Sequence, residues 1–214
     1  MVDGRGRRLV CEVVGASKTG LDLVVASAAD EAVPAVRTVL VQALAKGGHD
    51  EQAVDVCTQI GVGAVVPWAS ERAVVRWSGS RALKGRAKWQ GVVRAAAKQA
   101  RRARVPEVAE PRGTAGLAAW ARDVSAGGGV VLVLHEEATA PINGVELPSA
   151  GVVGVVVGPE GGISSSEIEQ LRSAGAYITL LGRNILRASS AGPVALALLS
   201  EAFGRFSAGR QEPI

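Results

Sequence analysis

Two apolar runs end in glycine-bearing turns some twenty residues apart, and this pairing restricts the fold more than any other feature of the chain. Val152–Val157 leads into Gly158-Pro159-Glu160-Gly161-Gly162-Ile163-Ser164. Tyr177–Leu181 leads into Gly182-Arg183-Asn184-Ile185-Leu186-Arg187. Continuous apolar runs of this length read as strands buried on both faces, as parallel strands are. Each turn is followed by a helix-start signal. Ser164-x-x-Glu167 is a capping box for a helix reaching about Ala174. Ser189 or Ser190 is expected to cap a last helix running to about Phe206, with Pro193 in its first turn. Strands that return as helices belong to an α/β fold with a parallel sheet covered on both faces.

The rest of the chain fits that class. Val36–Ala43, Ala64–Val66 and Val130–Leu134 read as further strands. Helices are expected over Asp50–Ile60, over Arg81–Ala103 and from an N-cap at Thr114. Aromatic residues make up only 3% of the chain, so Val, Ala and Leu must build the core. Residues 9–13 and 21–26 read as two strands of a small N-terminal β-domain, which two strands alone do not complete. Ala29 to Pro34 reads as a linker.

Charge narrows the partners. The formal net charge is +4, and its distribution says more than its size. From Arg72 to Arg104 run eleven Lys and Arg residues with no acidic residue among them. Such a single-sign field attracts a phosphate backbone. Arg72, Arg94, Lys98, Gln99, Arg101, Arg102 and Arg104 are the candidate RNA contacts. No apolar run approaches the ~18 residues that span a bilayer, and no secretory signal pattern opens the chain. Cys11 and Cys57 lack metal-ligand spacing and read as reduced thiols of a cytosolic protein, with no metal site expected.

Glycine turns at the carboxyl ends of parallel strands are where open α/β sheets take ligands. Neither turn is a P-loop or a dinucleotide fingerprint. Taken alone, each suits an ordinary strand-to-helix connection equally well. Leu181, Ile185 and Leu186 can wall a flat ring, and Arg187 beside them can hold an anion or polarise a carbonyl. A third polar segment, Leu134-His135-Glu136-Glu137, also stands at a strand end. Three convergent strand-end loops are a site signature.

At these residues the chain resembles the SPOUT class of S-adenosylmethionine-dependent RNA methyltransferases. Within it, the chain is most similar to the RsmE family, which methylates N3 of a uridine in small-subunit ribosomal RNA. The resemblance is carried by Leu134-His135-Glu136-Glu137-Ala138, Val157–Ile163 and Leu181–Arg187. Gly61-Val62, Ser70-Glu71-Arg72, Arg86 with Trp89, Gln99, Arg102 and Val105-Pro106 add to it. It implies a trefoil-knotted methyltransferase domain over 36–214, a partial PUA-like β-barrel domain over 1–30, a homodimer, a cytoplasmic location and 16S ribosomal RNA as partner. It implies cofactor contacts at Leu134, His135, Glu136, Val157, Gly158, Gly161, Gly162, Leu180, Leu181, Gly182, Ile185 and Leu186. Arg187 is the implied catalytic residue, stabilising charge on an ionised uracil, and Glu160 is a candidate proton acceptor. Where the family commonly has Thr-Glu-Thr-Ala after the arginine, this chain has Ala188-Ser189-Ser190-Ala191. No acidic group can therefore be carried over to that place. A methyltransferase for tRNA or a ribose 2′-hydroxyl is the alternative within the class. A non-catalytic RNA-binding assembly factor is the alternative outside it.

Overall fold

The computed structural model describes residues 1–206. Its centre is a parallel sheet in the order β5-β4-β3-β8-β7-β9, with β6 also on β4. The strands are β3 (Val36–Ala43), β4 (Ala64–Ala69), β5 (Glu107–Val108), β6 (Arg112–Gly113), β7 (Val130–Leu134), β8 (Gly151–Val157) and β9 (Tyr177–Thr179). Alternation along β3 feeds two cores. Leu40 and Leu44 face one layer, where they meet Val54, Cys57, Trp89, Val93, Leu196 and Leu199. Val39, Val41 and Ala43 face the other, with Trp68, Leu117, Ala121 and Leu171. The first layer is built by α1 (His49–Ile60), α2 (Ser80–Gln99) and α5 (Ala188–Ala202). The second is built by α3 (Thr114–Ala126) and α4 (Ser165–Ser173). Gly192 lets α5 come close: a Cβ there would lie 2.9 Å from a Leu40 methyl and 3.4 Å from the Cys57 sulfur. The Cys57 thiol is buried, which pushes its pKa far up and keeps it an inert core group.

Chain direction across the sheet locates the site. From β3 the chain moves outward to β4. From β8 it moves outward the other way, to β9. β3 and β8 pair from Val36–Gly151 to Gln42–Val157, so the strand order reverses between them. Open α/β sheets bind ligands at the carboxyl ends of the strands flanking such a point.

Several expectations need correction. α2 ends at Gln99, not at Ala103, and Arg101 turns the chain with φ of 55°. α3 starts at Thr114 with Gly113 in the cap position, because the Thr114 hydroxyl is engaged with Glu167 at 2.6 Å. α5 starts at Ala188, so neither serine caps it and Pro193 falls in its second turn. β4 runs on through Pro67, which sits in the gap between β5, paired at Ala64 and Val65, and β6, paired at Trp68 and Ala69. The missing N–H interrupts no pairing on that side. The Ser164 capping box forms as the sequence reads, with both reciprocal bonds.

The N-terminal residues form an antiparallel ribbon, β1 (Arg7–Ala16) with β2 (Leu21–Asp30), rather than a closed barrel. Val13, Val14, Leu21, Val24 and Val25 are exposed on it. Its base is tied to the turn after α2: Gly6 N–H donates to Ala103 O at 3.0 Å, and Val105 N–H to Gly4 O at 2.9 Å. The last eight residues of the 36–214 domain lie outside the described residues.

Candidate active site

A cavity of about 440 Å³ opens at the carboxyl ends of β3, β7, β8 and β9. That volume lies in the range of small-molecule sites. It gathers Leu134, His135, Glu136, Val157, Gly158, Gly162, Leu180, Leu181, Gly182, Ile185 and Leu186, with Glu160 and Arg187 at its edge. Of the twelve expected cofactor contacts only Gly161 is missing. It faces Arg72 instead, whose guanidinium donates to Gly161 O at 3.3 Å. The cavity also takes in Pro159, Ile163, Arg183 and Asn184 from the segments that carry the resemblance, Ala188 and Ala191 just beyond them, and His49, which the sequence does not single out. Ala188 and Ala191 follow the Arg187 turn directly and could have been found by extending it one helical turn.

The walls are mixed in a way that suits a heterocycle with a charged tail. Leu134, Val157, Leu181, Ile185 and Leu186 give apolar surface, and Ile185 is 83% exposed with no protein partner covering it. Gly182 has open space around its Cβ position, so its backbone is accessible. The guanidinium groups of Arg183 and Arg187 make no hydrogen bond or ion pair among the described residues, while Arg187 O accepts from Ser190 N at 2.8 Å and Ala191 N at 3.0 Å. His135 Nδ1 accepts the Glu137 N–H at 3.2 Å, which places the proton of the neutral ring on Nε2.

A buried network holds the Gly158–Ser164 turn. Glu167 is 2% exposed, and its carboxylate accepts from Thr114 Oγ1 at 2.6 Å, from Glu71 N at 2.8 Å and from Ser164 N at 3.2 Å. Ser164 Oγ donates to Glu71 at 2.6 Å, and Trp68 Nε1 donates to Thr114 Oγ1 at 3.2 Å. The Ser164 hydroxyl, more than the nearby Arg72 and Arg76 charges, holds Glu71 below the ordinary carboxylate range. The turn is thus pinned to the ends of β4 and α3. The capping box in the sequence signals only the Ser164–Glu167 part of this.

Past the 135–140 loop lies a second, more polar hollow of about 670 Å³, which shares His135, Glu136 and Ile163 with the first. Arg72 and Arg172 line it together with Glu137 and Glu169.

The basic segment divides in two. Arg94, Lys98 and Gln99 lie on or at the end of α2, and the side chains of Arg94 and Lys98 are exposed with no hydrogen-bond or ion-pair partner among the described residues. Arg102 and Arg104 are engaged within the fold. Arg102 donates to Thr58 O at 2.7 Å and to Val62 O at 2.8 Å. Arg104 donates to Arg5 O and, at 2.6 Å, to Glu31 O. No group of three His, Cys, Asp or Glu is placed to hold a metal ion among the described residues. No helix among them is long and apolar enough to cross a membrane.

Comparison with known proteins agrees with this geometry. Residues 32–200 match the model of the RNA methyltransferase domain family. The ribosomal RNA small subunit methyltransferase E of Mycobacterium tuberculosis is 41% identical over 212 residues, covering 98% of this chain and 80% of that protein. Its namesake from Bacillus subtilis is 27% identical over 199 residues, covering 89% and 76%. A crystal structure of the Neisseria gonorrhoeae ribosomal RNA small subunit methyltransferase E bound to S-adenosyl methionine superimposes with a TM-score of 0.81 at 26% identity. It covers 94% of this chain and 81% of that one.

Proposed function

The chain belongs to the ribosomal RNA small subunit methyltransferase E family of RNA methyltransferases, and we propose that it methylates N3 of one uridine in 16S ribosomal RNA, using S-adenosylmethionine. The observation that carries this reading is the single cavity that joins three strand-end loops to Arg187. The residues present fit the cofactor. The apolar walls suit an adenine, and the open backbone at Gly182 suits its polar edge.

Bound there, S-adenosylmethionine supplies a methyl group already activated by its sulfonium. The chain has three remaining tasks. Leu134, Val157, Leu181, Ile185 and Leu186 bind and orient the cofactor and keep water from it. Arg187, with its guanidinium unengaged, stabilises the negative charge that spreads onto O2 and O4 of uracil as N3 loses its proton. Arg94, Lys98 and Arg101 hold phosphates and fix the position of the strand without reading its bases. N3 is on the Watson–Crick edge, so the base must be unpaired or turned out of its stack.

Three further parts of the reading rest on placement. After β9 the chain passes back along the 140–142 segment, where Leu180 N–H donates to Ala140 O at 2.8 Å and Ile142 N–H to Leu180 O at 3.0 Å. It then enters α5 at the middle of the sheet, a return that supports a trefoil knot. Val194 and Leu198 are exposed on α5, as is Ile185 on the loop that leads into it, and they support a second copy of the chain as partner. The ribbon β1–β2 supports a partial PUA-like RNA-docking unit. A substrate in ribosomal RNA supports a cytoplasmic location.

The test is methyl transfer to small-subunit particles and to their naked RNA, with mass mapping of the product. Methyl on N3 of a single uridine is expected. Methyl on a ribose 2′-oxygen, or on tRNA alone, would replace this reading with another within the class.

A further inference from the structure

We propose that His49 is the group that takes the N3 proton. This rests on the uridine-N3 reading above and assigns a residue that neither the sequence reading nor the comparisons single out.

His49 follows β3, the strand next to β8 at the point where the sheet order reverses. The segment Lys46-Gly47-Gly48-His49 makes a fourth strand-end loop around the cavity. Gly47 and Gly48 take left-handed φ values of 62° and 78°, which turn the chain sharply into α1. The loop is held at two points. Lys46 N–H donates to Glu160 at 3.2 Å, fastening it to the Gly158–Gly162 turn. The buried Asp50 carboxylate accepts from Ala45 N at 3.3 Å and from Glu51 N at 2.9 Å. His49 is therefore a half-buried residue on a fixed loop, facing the cavity.

Elimination among the cavity's groups points the same way. The titratable residues lining it are His49, His135, Glu136, Glu160, Arg183 and Arg187. The arginines cannot accept a proton. His135 has its free nitrogen protonated, because Nδ1 already accepts from Glu137 N. Glu160 gives one carboxylate oxygen to the Lys46 N–H and so serves to fasten the 46–49 loop. Glu136 is on the far loop, at the boundary with the second hollow. His49 makes no side-chain hydrogen bond or ion pair among the described residues. It also opens α1, the helix that packs against α5, whose cap is Arg187. The group that receives the proton and the group that receives the charge thus stand at the starts of two packed helices.

The step balances. N3 gives its proton to the His49 imidazole, and its electron pair forms the bond to the methyl carbon. The carbon–sulfur bond breaks with its pair staying on sulfur, and the imidazolium returns its proton to solvent. Imidazole suits the task because its proton affinity is close to neutral pH. The charges around it come from every neighbouring element: Glu160 from the turn after β8, Arg183 and Arg187 from the last loop, His135 and Glu136 from the loop after β7, Lys46, Asp50 and Glu51 from its own segment, and Lys88 from α2 through its ion pair with Glu51 at 2.6 Å.

The experiment compares wild type with H49Q, H49K and H49A on small-subunit particles. S-adenosylmethionine affinity is measured by calorimetry alongside kcat from pH 5.5 to 9. Wild-type kcat should rise with pH across the range where imidazoles titrate. H49Q should lose about 10²-fold in kcat, as loss of a general base does, and the rising limb should go with it while cofactor affinity holds within a few-fold. H49K should be as poor as H49Q, and added imidazole should partly restore H49A. Overturning results are an H49Q that keeps both rate and limb, or an H49K that restores the rate and so marks a cationic contact. Wild type transferring methyl to an atom other than N3 would remove the functional reading and this assignment with it. An inactive H49Q in which wild-type product is confirmed at N3 and cofactor binding is lost would overturn the assignment alone.

Discussion

Two loops of this molecule carry arginines in opposite states. In the loop 180–187 that leads into α5, Arg183 and Arg187 face the cavity, their guanidinium groups without a protein partner among the described residues. In the turn 100–105 after α2, Arg102 and Arg104 are both engaged, with four backbone carbonyls between them. The sequence shows the same residue type in both. A guanidinium held by backbone carbonyls ties the fold together, and one left without such partners beside a cavity is available to a ligand. Charge count alone cannot separate the two.

The largest expected effect tests the unengaged member. Arg187→Ala should lower kcat by about 10²–10³-fold, the scale of losing one charge-stabilising donor at a reacting centre. Unfolding free energy should not move beyond the ~0.5 kcal/mol expected of a surface change, and calorimetric affinity for S-adenosylmethionine should hold. Equal loss of turnover and cofactor affinity would assign Arg187 to cofactor binding instead. The opposite member should give the opposite profile. Arg102→Ala leaves Thr58 O and Val62 O without their charged donor and should cost roughly 2–3 kcal/mol. In a chain of this size that is a fall of about 4–12 °C in melting temperature. Turnover per folded molecule should stay near wild type. An Arg102→Ala protein of unchanged stability that binds RNA poorly would move Arg102 to the interface and dissolve the comparison.

The same contrast explains what the sequence did and did not disclose. The end of β8 was legible because a buried parallel strand is uniformly apolar and stops abruptly at Gly158, whereas β9 stops at Thr179, before the Leu181 that the apolar run suggests. Eleven of the twelve expected cofactor residues still meet in one cavity. Gly161 was not separable from Gly162 by type; in the fold a Cβ at Gly161 would meet Arg72 at 3.3 Å, while Gly162 takes a left-handed φ of 73° and lies towards Glu136. His49 was invisible because its loop is more than a hundred residues from Glu160 along the chain. Pairing of Gln42 with Val157 brings them together. The end of α2 was misread because Ala and Arg both favour helix, and nothing in Ala100–Ala103 announces the left-handed turn at Arg101. The demand that stops the helix is tertiary: Arg102 must reach two carbonyls beside α1, and Gly6 N–H must reach Ala103 O.

Exposed cations on α2 give a smaller, graded effect. Replacing Arg94 and Lys98 together by Ala should leave stability and kcat at saturating RNA unchanged while weakening RNA binding. The slope of log affinity against log salt should flatten by about 0.7–0.9 for each phosphate contact removed. Filter binding across a salt series reads this directly. An unchanged slope would shift the RNA-facing surface away from this face of α2, towards Arg72 and the second hollow.

The smallest effect concerns the network that pins the Gly158–Ser164 turn, and its sign can be worked out from Glu71. The Ser164 hydroxyl first, then Ser166 and the Arg72 and Arg76 charges, hold this carboxylate below its ordinary value of 4.5. A carboxyl with a lowered folded-state pKa contributes stability that is fully present above its unfolded value. That contribution is lost as pH falls through the lowered folded-state value. Glu71→Gln keeps the shape and can still accept from Ser164, but it removes the ionisation. The variant should therefore be slightly less stable than wild type above pH 4.5 and converge with it in acid, in urea melts taken at several pH values. Because Glu71 is exposed, the difference should be small at neutral pH. The Arg187 loop, which shares no hydrogen bond with this network, should keep its kcat at pH 7.5. A drop in kcat larger than the change in stability would mean that the turn after β8 positions the reacting groups as well as the cofactor, and the division between holding and reacting residues would then run through Glu71 rather than between the two arginine loops.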